Sequence, residues 1–381
     1  MIGHHVCHGG YDKVDKTQRF NRFTFAVNGL AKRLGDWFDW MLPEAWNVEH
    51  NNMHHYSLGE MHDPDLVEEN LKSTRNAPWP LFVKYAQIFA TSFIWKWIYY
   101  APNTYKELKL AKMRRAGTPI PDGMPPVEQS ITLLDWFSGS KTWFPISEFL
   151  VEVAGAYLVL HFAVLPAPLL LLGGTGVGGT GWALYWTAVR RLLLAELLTN
   201  LHSFAVIANN HAGEDLYRFS SGVKPRSGTF YMRQVISSTN FATGCPLTGA
   251  CTGFLADAND FMHGWLNYQI EHHLWPNASM LTYQRAQPLV KALCAKHGVP
   301  YVQQNCLWRL HKCVQIMTGV NSMRQFPQEY EYEPDRLVTS RSDIKAEGGV
   351  AFMGKDAVVE SMFKGTDADN VAGVLEATKS A

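Results

Sequence analysis

Histidine occurs in this chain in three short clusters: His4-His5-Val6-Cys7-His8, His50-Asn51-Asn52-Met53-His54-His55 and Gln269-Ile270-Glu271-His272-His273. His211 stands alone between the second and the third. Neutral imidazole is the commonest side-chain metal ligand, because it offers a nitrogen lone pair near neutral pH. Residues four apart share one helical face, and His4/His8, His50/His54 and Gln269/His273 all have that spacing. One histidine in a hydrogen-bonded setting needs no metal to explain it; three clusters at helical spacing do. His4, His8, His50, His54, His55, His211, His272 and His273 together exceed the three or four ligands that a zinc ion takes. Two irons would use them. Cys7 reads as a small filler, since iron that activates oxygen prefers nitrogen and oxygen donors.

Hydropathy indicates what must position these side chains. In a chain of 381 residues, the 13 Trp and 15 Tyr suit aromatic belts at a membrane interface, and a formal net charge of +0 gives no sign of a nucleic-acid partner. The 6 Cys form no Cys-x-x-Cys pair and read as reduced thiols. Residues 149–172 are long enough to cross a hydrocarbon core, which takes about 20 apolar residues. Residues 182–208 form a second, more polar span with Arg190, Arg191 and Glu196, and the Gly-rich run 173–181 closes the two into a hairpin. Residues 81–101, with Lys84, Lys96 and several aromatics, read as a segment lying in the interface plane.

If one metal site gathers all the clusters, the chain must cross the membrane an even number of times between His55 and His211. The hairpin alone satisfies that parity. The basic stretch Lys106, Lys109, Lys112, Arg114 and Arg115 marks the cytoplasmic side. The expectation is an all-α integral membrane helical bundle with a cytosolic His-rich cap, spanning residues 1–330. A polar, mobile tail follows over 331–381. Residues 283–297 have helical spacing at Leu289, Leu293 and Cys294 and stop at Gly298.

Three ordered histidine boxes around a membrane hairpin resemble the integral-membrane fatty acid desaturase superfamily. His4 and His8 match its His-x-x-x-His box. His50, His54 and His55 match the second box, with the acidic Asp63-Pro64-Asp65 downstream. Gln269, His272 and His273 match a third box that opens on Gln, which resembles the front-end branch. Asn210-His211 resembles the isolated element that supplies one further ligand. The likeness covers roughly residues 1–318 and is most specific over 263–301. Members usually carry a membrane hairpin before the first box and, in the front-end branch, often a fused cytochrome with a His-Pro-Gly-Gly motif. Here box one follows Met1 directly and no such motif occurs.

The resemblance implies an O2-dependent desaturase with a di-iron centre on those eight histidines and Gln269 beside it in the catalytic site. Its substrate would be the acyl chain of a fatty acid or lipid. Electrons would come from a separate reduced carrier, a b-type cytochrome or a ferredoxin. The protein would sit in an endoplasmic reticulum or plastid membrane, with its boxes facing the cytosol or stroma. A sphingolipid or sterol desaturase or hydroxylase on the same boxes, or a truncated non-catalytic relative, would share the pattern. His5 reads equally as a neighbour of the metal or as an exposed side chain. His62 and His263 fall outside the box spacing, and His161 and His202 read as helix-to-helix hydrogen bonders. Glu271 projects about 100° from its neighbours on a helix and is expected to be less sensitive to substitution than the histidines.

Overall fold

Helices form wherever apolar residues recur at helical spacing, and short loops capped by Ser, Asn and Gly join them. The computed structural model describes residues 2–27, 29–36, 39–125, 130–173, 179–242 and 253–337. The chain is mostly helical and divides into two compact units: Met1–Phe25, Asn47–Ala77 and Ala208–Ala381 form one, Ala26–Trp46 and Pro78–Ile207 the other. All eight histidines singled out above lie in the first.

In that first unit, helix Gln269–Leu274 lies on a core of Phe219, Val235, Ile236, Ile270, Val290 and Cys294. Helix Met280–His297 packs over it. Ser279 opens that helix by accepting from Thr282 N at 3.2 Å, and Gly298 at φ +66° ends it. The left-handed conformation costs glycine little, so the stop was readable in the sequence. Helix Cys306–Thr318 is capped by Asn305 and Gly319 in the same manner. Among the described residues, three two-residue strand pairs depart from an all-α chain. Tyr217–Arg218 runs parallel to Arg324–Gln325, Gly222–Val223 antiparallel to Arg336–Leu337, and Asn240–Phe241 parallel to Gln303–Gln304. The second pair and the Arg233–Glu331 ion pair at 3.3 Å hold residues 331–337, the head of the expected tail, against this unit. Residues 338–381 lie outside the described residues.

In the second unit, a helical segment Ile146–Leu172 meets helix Thr180–Ile207. Tyr157 Oη donates to Glu196 at 3.1 Å and Tyr185 Oη to the Phe162 carbonyl at 3.1 Å. One partner number rises as the other falls, so the two run antiparallel as a hairpin. The Gly-rich turn at 174–178 lies outside the described residues. Among the described residues only Ile146–Leu172, 27 residues with a mean hydropathy of 2.0, is long and apolar enough to cross a membrane. Thr180–Ile207 has the length but carries Arg190, Arg191 and Glu196.

Glu196 binds Lys96 Nζ at 2.6 Å and accepts from Trp97 Nε1 at 2.6 Å, while Arg190 and Arg191 are exposed. Segment 81–101 turns its cations toward the protein and its apolar side chains away from it. Lys84 and Lys96 are buried, and Leu81, Phe82 and Phe89 face outward. His161 bonds the Tyr157 carbonyl of its own helix at 3.3 Å, and His202 is exposed.

Candidate metal centre

The second histidine box sits on a turn of unusual pitch. Asn47–His54 forms i→i+5 hydrogen bonds and continues as an α-helical turn through His55–Ser57. Such a helix advances by about 80° per residue, so residues four and five beyond His50 both fall within about 50° of it. At α-helical pitch His55 would stand about 140° away. The wider turn is what puts His50, His54 and His55 on one face. Turns of this kind recur at functional sites. In the third box Gln269, His272 and His273 share one face at i, i+3 and i+4, and Ile270 and Glu271 point the other way into the interior, both fully buried.

Among the described residues two all-histidine groups of donors result, and His50 and His54 also form a third group with Asp65. His4, His8, His50 and His272 offer nitrogens within 4.8 Å of one another, and so do His54, His211 and His273. Nitrogens that share an ion at about 2.1 Å each lie no more than about 4.2 Å apart, so modest side-chain shifts would complete either set. His55 stands between the groups. Its ring lies 4.7 Å from that of His8, 5.0 Å from His272 and 4.2 Å from His273. Neither ring nitrogen of His55, nor Nε2 of His272, nor Oε1 of Gln269, has a hydrogen-bond partner among the described residues. Buried polar atoms are normally satisfied; a cation is the partner that neutral imidazoles could accept in common. The donor set fits metal.

Behind the inward nitrogens stand groups that fix the rings. His54 Nδ1 meets Asp63 Oδ1 at 2.8 Å, and His273 Nδ1 meets Gln234 Oε1 at 2.9 Å. His272 Nδ1 lies 3.3 Å from Tyr283 Oη, and His211 Nδ1 lies 3.2 Å from the Ser237 carbonyl. Each contact favours a proton on Nδ1 and turns Nε2 toward the centre, as such partners do around metal-binding histidines. Gln269 Nε2 is 3.0 Å from His211 Nε2, and His273 Nε2 is 3.2 Å from that same atom. The Gln269 amide therefore belongs to the second group, and its oxygen and nitrogen are interchangeable by a flip of the side chain.

Burial, reinforced by the neighbouring imidazoles, pushes His4, His8, His50, His55 and His273 well below the ordinary histidine pKa. His211 is likewise well below, through burial and then His54. His272 is pushed down to about 3. These rings are neutral at pH 7, the form that binds metal. His54 moves upward instead, because the Asp63 and Asp65 carboxylates outweigh its burial.

Other residues play parts that sequence spacing did not reveal. Asp215 receives Arg309 Nη1 at 2.7 Å and Lys312 Nζ at 2.8 Å, and Arg309 also donates to the Ala212 carbonyl at 3.0 Å. These bonds pin the loop that carries His211. Glu271 accepts from Asn240 Nδ2 at 2.8 Å and from Tyr301 Oη at 2.9 Å, and Asn240 Oδ1 takes the Ile270 amide at 2.8 Å. The Glu271 side chain thus ties the third box to the strand pair behind it. His5 stacks on Tyr283 with centroids 6.1 Å apart, His62 pairs with Glu60 at 2.9 Å, and His263 bonds the Asn259 carbonyl at 2.8 Å. None of these three joins the two groups.

A family model described as fatty acid desaturase matches residues 1–305. The NADPH-dependent stearoyl-CoA 9-desaturase of Mycobacterium tuberculosis is 24% identical over 367 residues, covering 94% of this chain and 71% of that protein. Shorter stretches are closer. Fatty acid desaturase 3 of Bos taurus is 60% identical over 42 residues, 11% of this chain and 10% of that protein. Fatty acid desaturase 2-like protein FADS2B of Mus musculus is 51% identical over 49 residues, 13% and 10% of the two chains. No solved structure matches. With four fifths of its length matched by the family model and its histidines gathered into two donor groups, the chain belongs to the fatty acid desaturase family.

Proposed function

We propose that this protein is an O2-dependent membrane desaturase of the front-end type, which uses two iron ions to place a cis double bond in an acyl chain. The observation that carries the reading is the division of the imidazoles into two groups bridged by His55. His4, His8, His50 and His272 would hold one ion, and His54, His211 and His273 the other, with the Gln269 amide beside the second and His55 available to either. Bound iron would supply the redox chemistry by which two hydrogens leave adjacent methylenes while O2, two external electrons and two protons become two waters. The protein itself supplies neutral, pre-oriented imidazoles and a buried site, and it must set how far the acyl chain enters. Regiospecificity rests on that depth, since one methylene in an apolar pocket discriminates by only about 1–3 kcal/mol.

Support for a membrane setting comes from the hairpin unit. Val151, Val159, Leu165, Leu171 and Leu172 on one arm and Trp186, Leu194 and Leu198 on the other are exposed. An apolar surface of that extent marks a lipid or protein contact. Electrons would come from a separate reduced protein, a b-type cytochrome or a ferredoxin, and the boxes would face the cytosol or stroma.

The test is expression in a host that lacks polyunsaturated lipids, fed defined acyl chains, with products read by mass spectrometry. Loss of about two mass units with a double bond on the carboxyl side of an existing one is the expected result. A gain of about 16 mass units would replace the reading with a hydroxylase. No change in any lipid, from protein that carries iron, would overturn it.

A further inference from the structure

Gln234 lies buried between the second and third histidine boxes. Its Nε2 donates to the His55 carbonyl at 3.3 Å, and its Oε1 lies 2.9 Å from His273 Nδ1. A backbone carbonyl can only accept. The amide nitrogen must therefore face His55 and the oxygen His273, so this amide, unlike that of Gln269, has one orientation. The oxygen in turn places the His273 proton on Nδ1. That leaves the Nε2 lone pair 3.2 Å from His211 Nε2, inside the second donor group. One side chain thus ties the backbone of box two to a ring of box three.

What holds Gln234 comes from far along the chain. It sits on helix Gly228–Ile236, next to the buried Arg233. Arg233 Nη1 donates to Glu60 Oε1 at 3.2 Å and to the Ser221 carbonyl at 2.8 Å. Its Nη2 donates to Ser221 Oγ at 3.2 Å and to Glu331 Oε1 at 3.3 Å, and Ser221 Oγ donates to the other oxygen of Glu331. The guanidinium carbon lies 4.1 Å from the centre of the Phe219 ring. At the start of the same helix Asp335 Oδ2 accepts from Thr229 N at 3.2 Å and from Thr229 Oγ1 at 2.8 Å. Such an amide has no partner within its own helix, so an outside carboxylate satisfies it. The Asp335 carbonyl takes the Lys224 amide at 2.6 Å, and Arg336–Leu337 pairs with Gly222–Val223. Glu331, Asp335 and this strand all lie beyond residue 305, where the match to the family model ends.

We propose that residues 331–337 clamp helix Gly228–Ile236 through Glu331 and Asp335, and thereby make Gln234 a positioning residue for the second metal position, that of His54, His211 and His273. The proposal rests on the two-ion reading. It deepens that reading by assigning part of the metal geometry to a segment outside the family match. Arg233 and Gln234 are adjacent, so a helix released from Glu331 and Asp335 carries the Gln234 amide away from two partners at once. The His273 ring is then free to turn and to move its proton to the other nitrogen. The His272 ring, in the first group, is held separately by Tyr283.

The test counts metal on the purified full chain in detergent, stripped of bound metal and titrated with cobalt(II), without turnover. The parent should take two equivalents. Gln234→Leu should weaken one of them about tenfold or more and leave the other as it was, the scale on which losing the partner of a ligating histidine acts. Asp335→Ala, which leaves the buried contacts of Arg233 intact, should weaken the same equivalent. Asp335→Asn, which keeps an acceptor for Thr229, should restore it. In the Gln234→Leu background Asp335→Ala should add nothing, because both act through one side chain. Glu331→Ala and a chain ended at Tyr330 should repeat the effect more strongly; where either fails to fold, the two Asp335 variants carry the test. A clamp that merely stabilised the fold would, when lost, weaken both equivalents together, and that outcome overturns the proposal. So does unchanged binding in Gln234→Leu and Asp335→Ala, or losses that simply add in the double variant. A parent that takes fewer than two equivalents refutes the two-ion reading, and the proposal with it. The selective loss of one equivalent, in a protein that makes no double bond, would refute the desaturase reading and leave the clamp standing.

Discussion

At the scale of single residues, the centre depends on groups that turn imidazoles as much as on the imidazoles. His54→Ala or His272→Ala should abolish desaturation and lower bound iron, measured by metal analysis of the purified protein; full activity in either variant would refute the two-iron assignment. Gln269 is a subtler case. Its amide lies 3.0 Å from His211 Nε2, where an imidazole would compete for the same ion. Gln269→His should retain iron and some activity, whereas Gln269→Ile should lose most activity. A fully active Ile variant would make Gln269 a packing residue. Glu271 belongs to this scale too. Removing its carboxylate takes one acceptor from buried Asn240 and from half-buried Tyr301, a loss of about 1–3 kcal/mol. Glu271→Ala should therefore melt at lower temperature than the parent, while Glu271→Gln, which keeps one acceptor, should recover part of the loss. Equal melting of parent and Ala variant would refute the role assigned to this network.

At the scale of elements, what the sequence revealed and what it hid have a common physical cause. Spacing at i, i+4 and the terminal Gly298 are local signals, and helix Met280–His297 and the pairing of His4 with His8 could be read from them. The pitch of Asn47–His54 could not, since His50, His54 and His55 have the same spacing in a row whether or not the turn widens. The pinning of the His211 loop was hidden for another reason: Asp215 and Arg309 lie 94 residues apart and carry no periodic pattern. The burial of Lys96 in segment 81–101 was masked by its partner, because Lys96 looks like a surface cation until Glu196 is seen 2.6 Å away. The Arg309 network gives a prediction of its own. Arg309 is fully buried, and its removal takes its hydrogen bonds from Asp215 and from the Ala212 carbonyl, while Lys312 still compensates the Asp215 charge. Arg309→Ala should lower the melting temperature and reduce iron bound per chain, because the loop carrying His211 loses its tether. The Gly213→Ala variant should fall short in the same direction, since a Cβ there would run into the Arg309 guanidinium and Asp215. Normal iron content in a stably folded Arg309→Ala protein would separate this network from the metal centre.

At the scale of the whole chain, the histidines that must meet come from stretches on both sides of the apolar hairpin. His4 to His55 precede Ile146–Leu172, and His211 to His273 follow Thr180–Ile207. A chain that crossed the bilayer an odd number of times between them would separate His54 from His211 by the thickness of a membrane. Their rings lie 4.8 Å apart. Burying Arg190, Arg191 and Glu196 in lipid is costly, at about 2.5–3.5 kcal/mol for an arginine at mid-bilayer. Glu196 avoids much of that cost through Lys96 and Trp97, and the long arginine side chains can reach toward an interface. The arrangement predicts sidedness. Single cysteines at Lys141, before the hairpin, and at Lys291, after it, should react from the cytosolic side with a membrane-impermeant maleimide. A cysteine at Trp182, beside the turn, should react only from the opposite side. Labelling of Lys141 and Lys291 from opposite faces would mean an odd number of crossings and would break the shared metal centre, whereas labelling of all three from one face would mean that the hairpin lies on the membrane without spanning it.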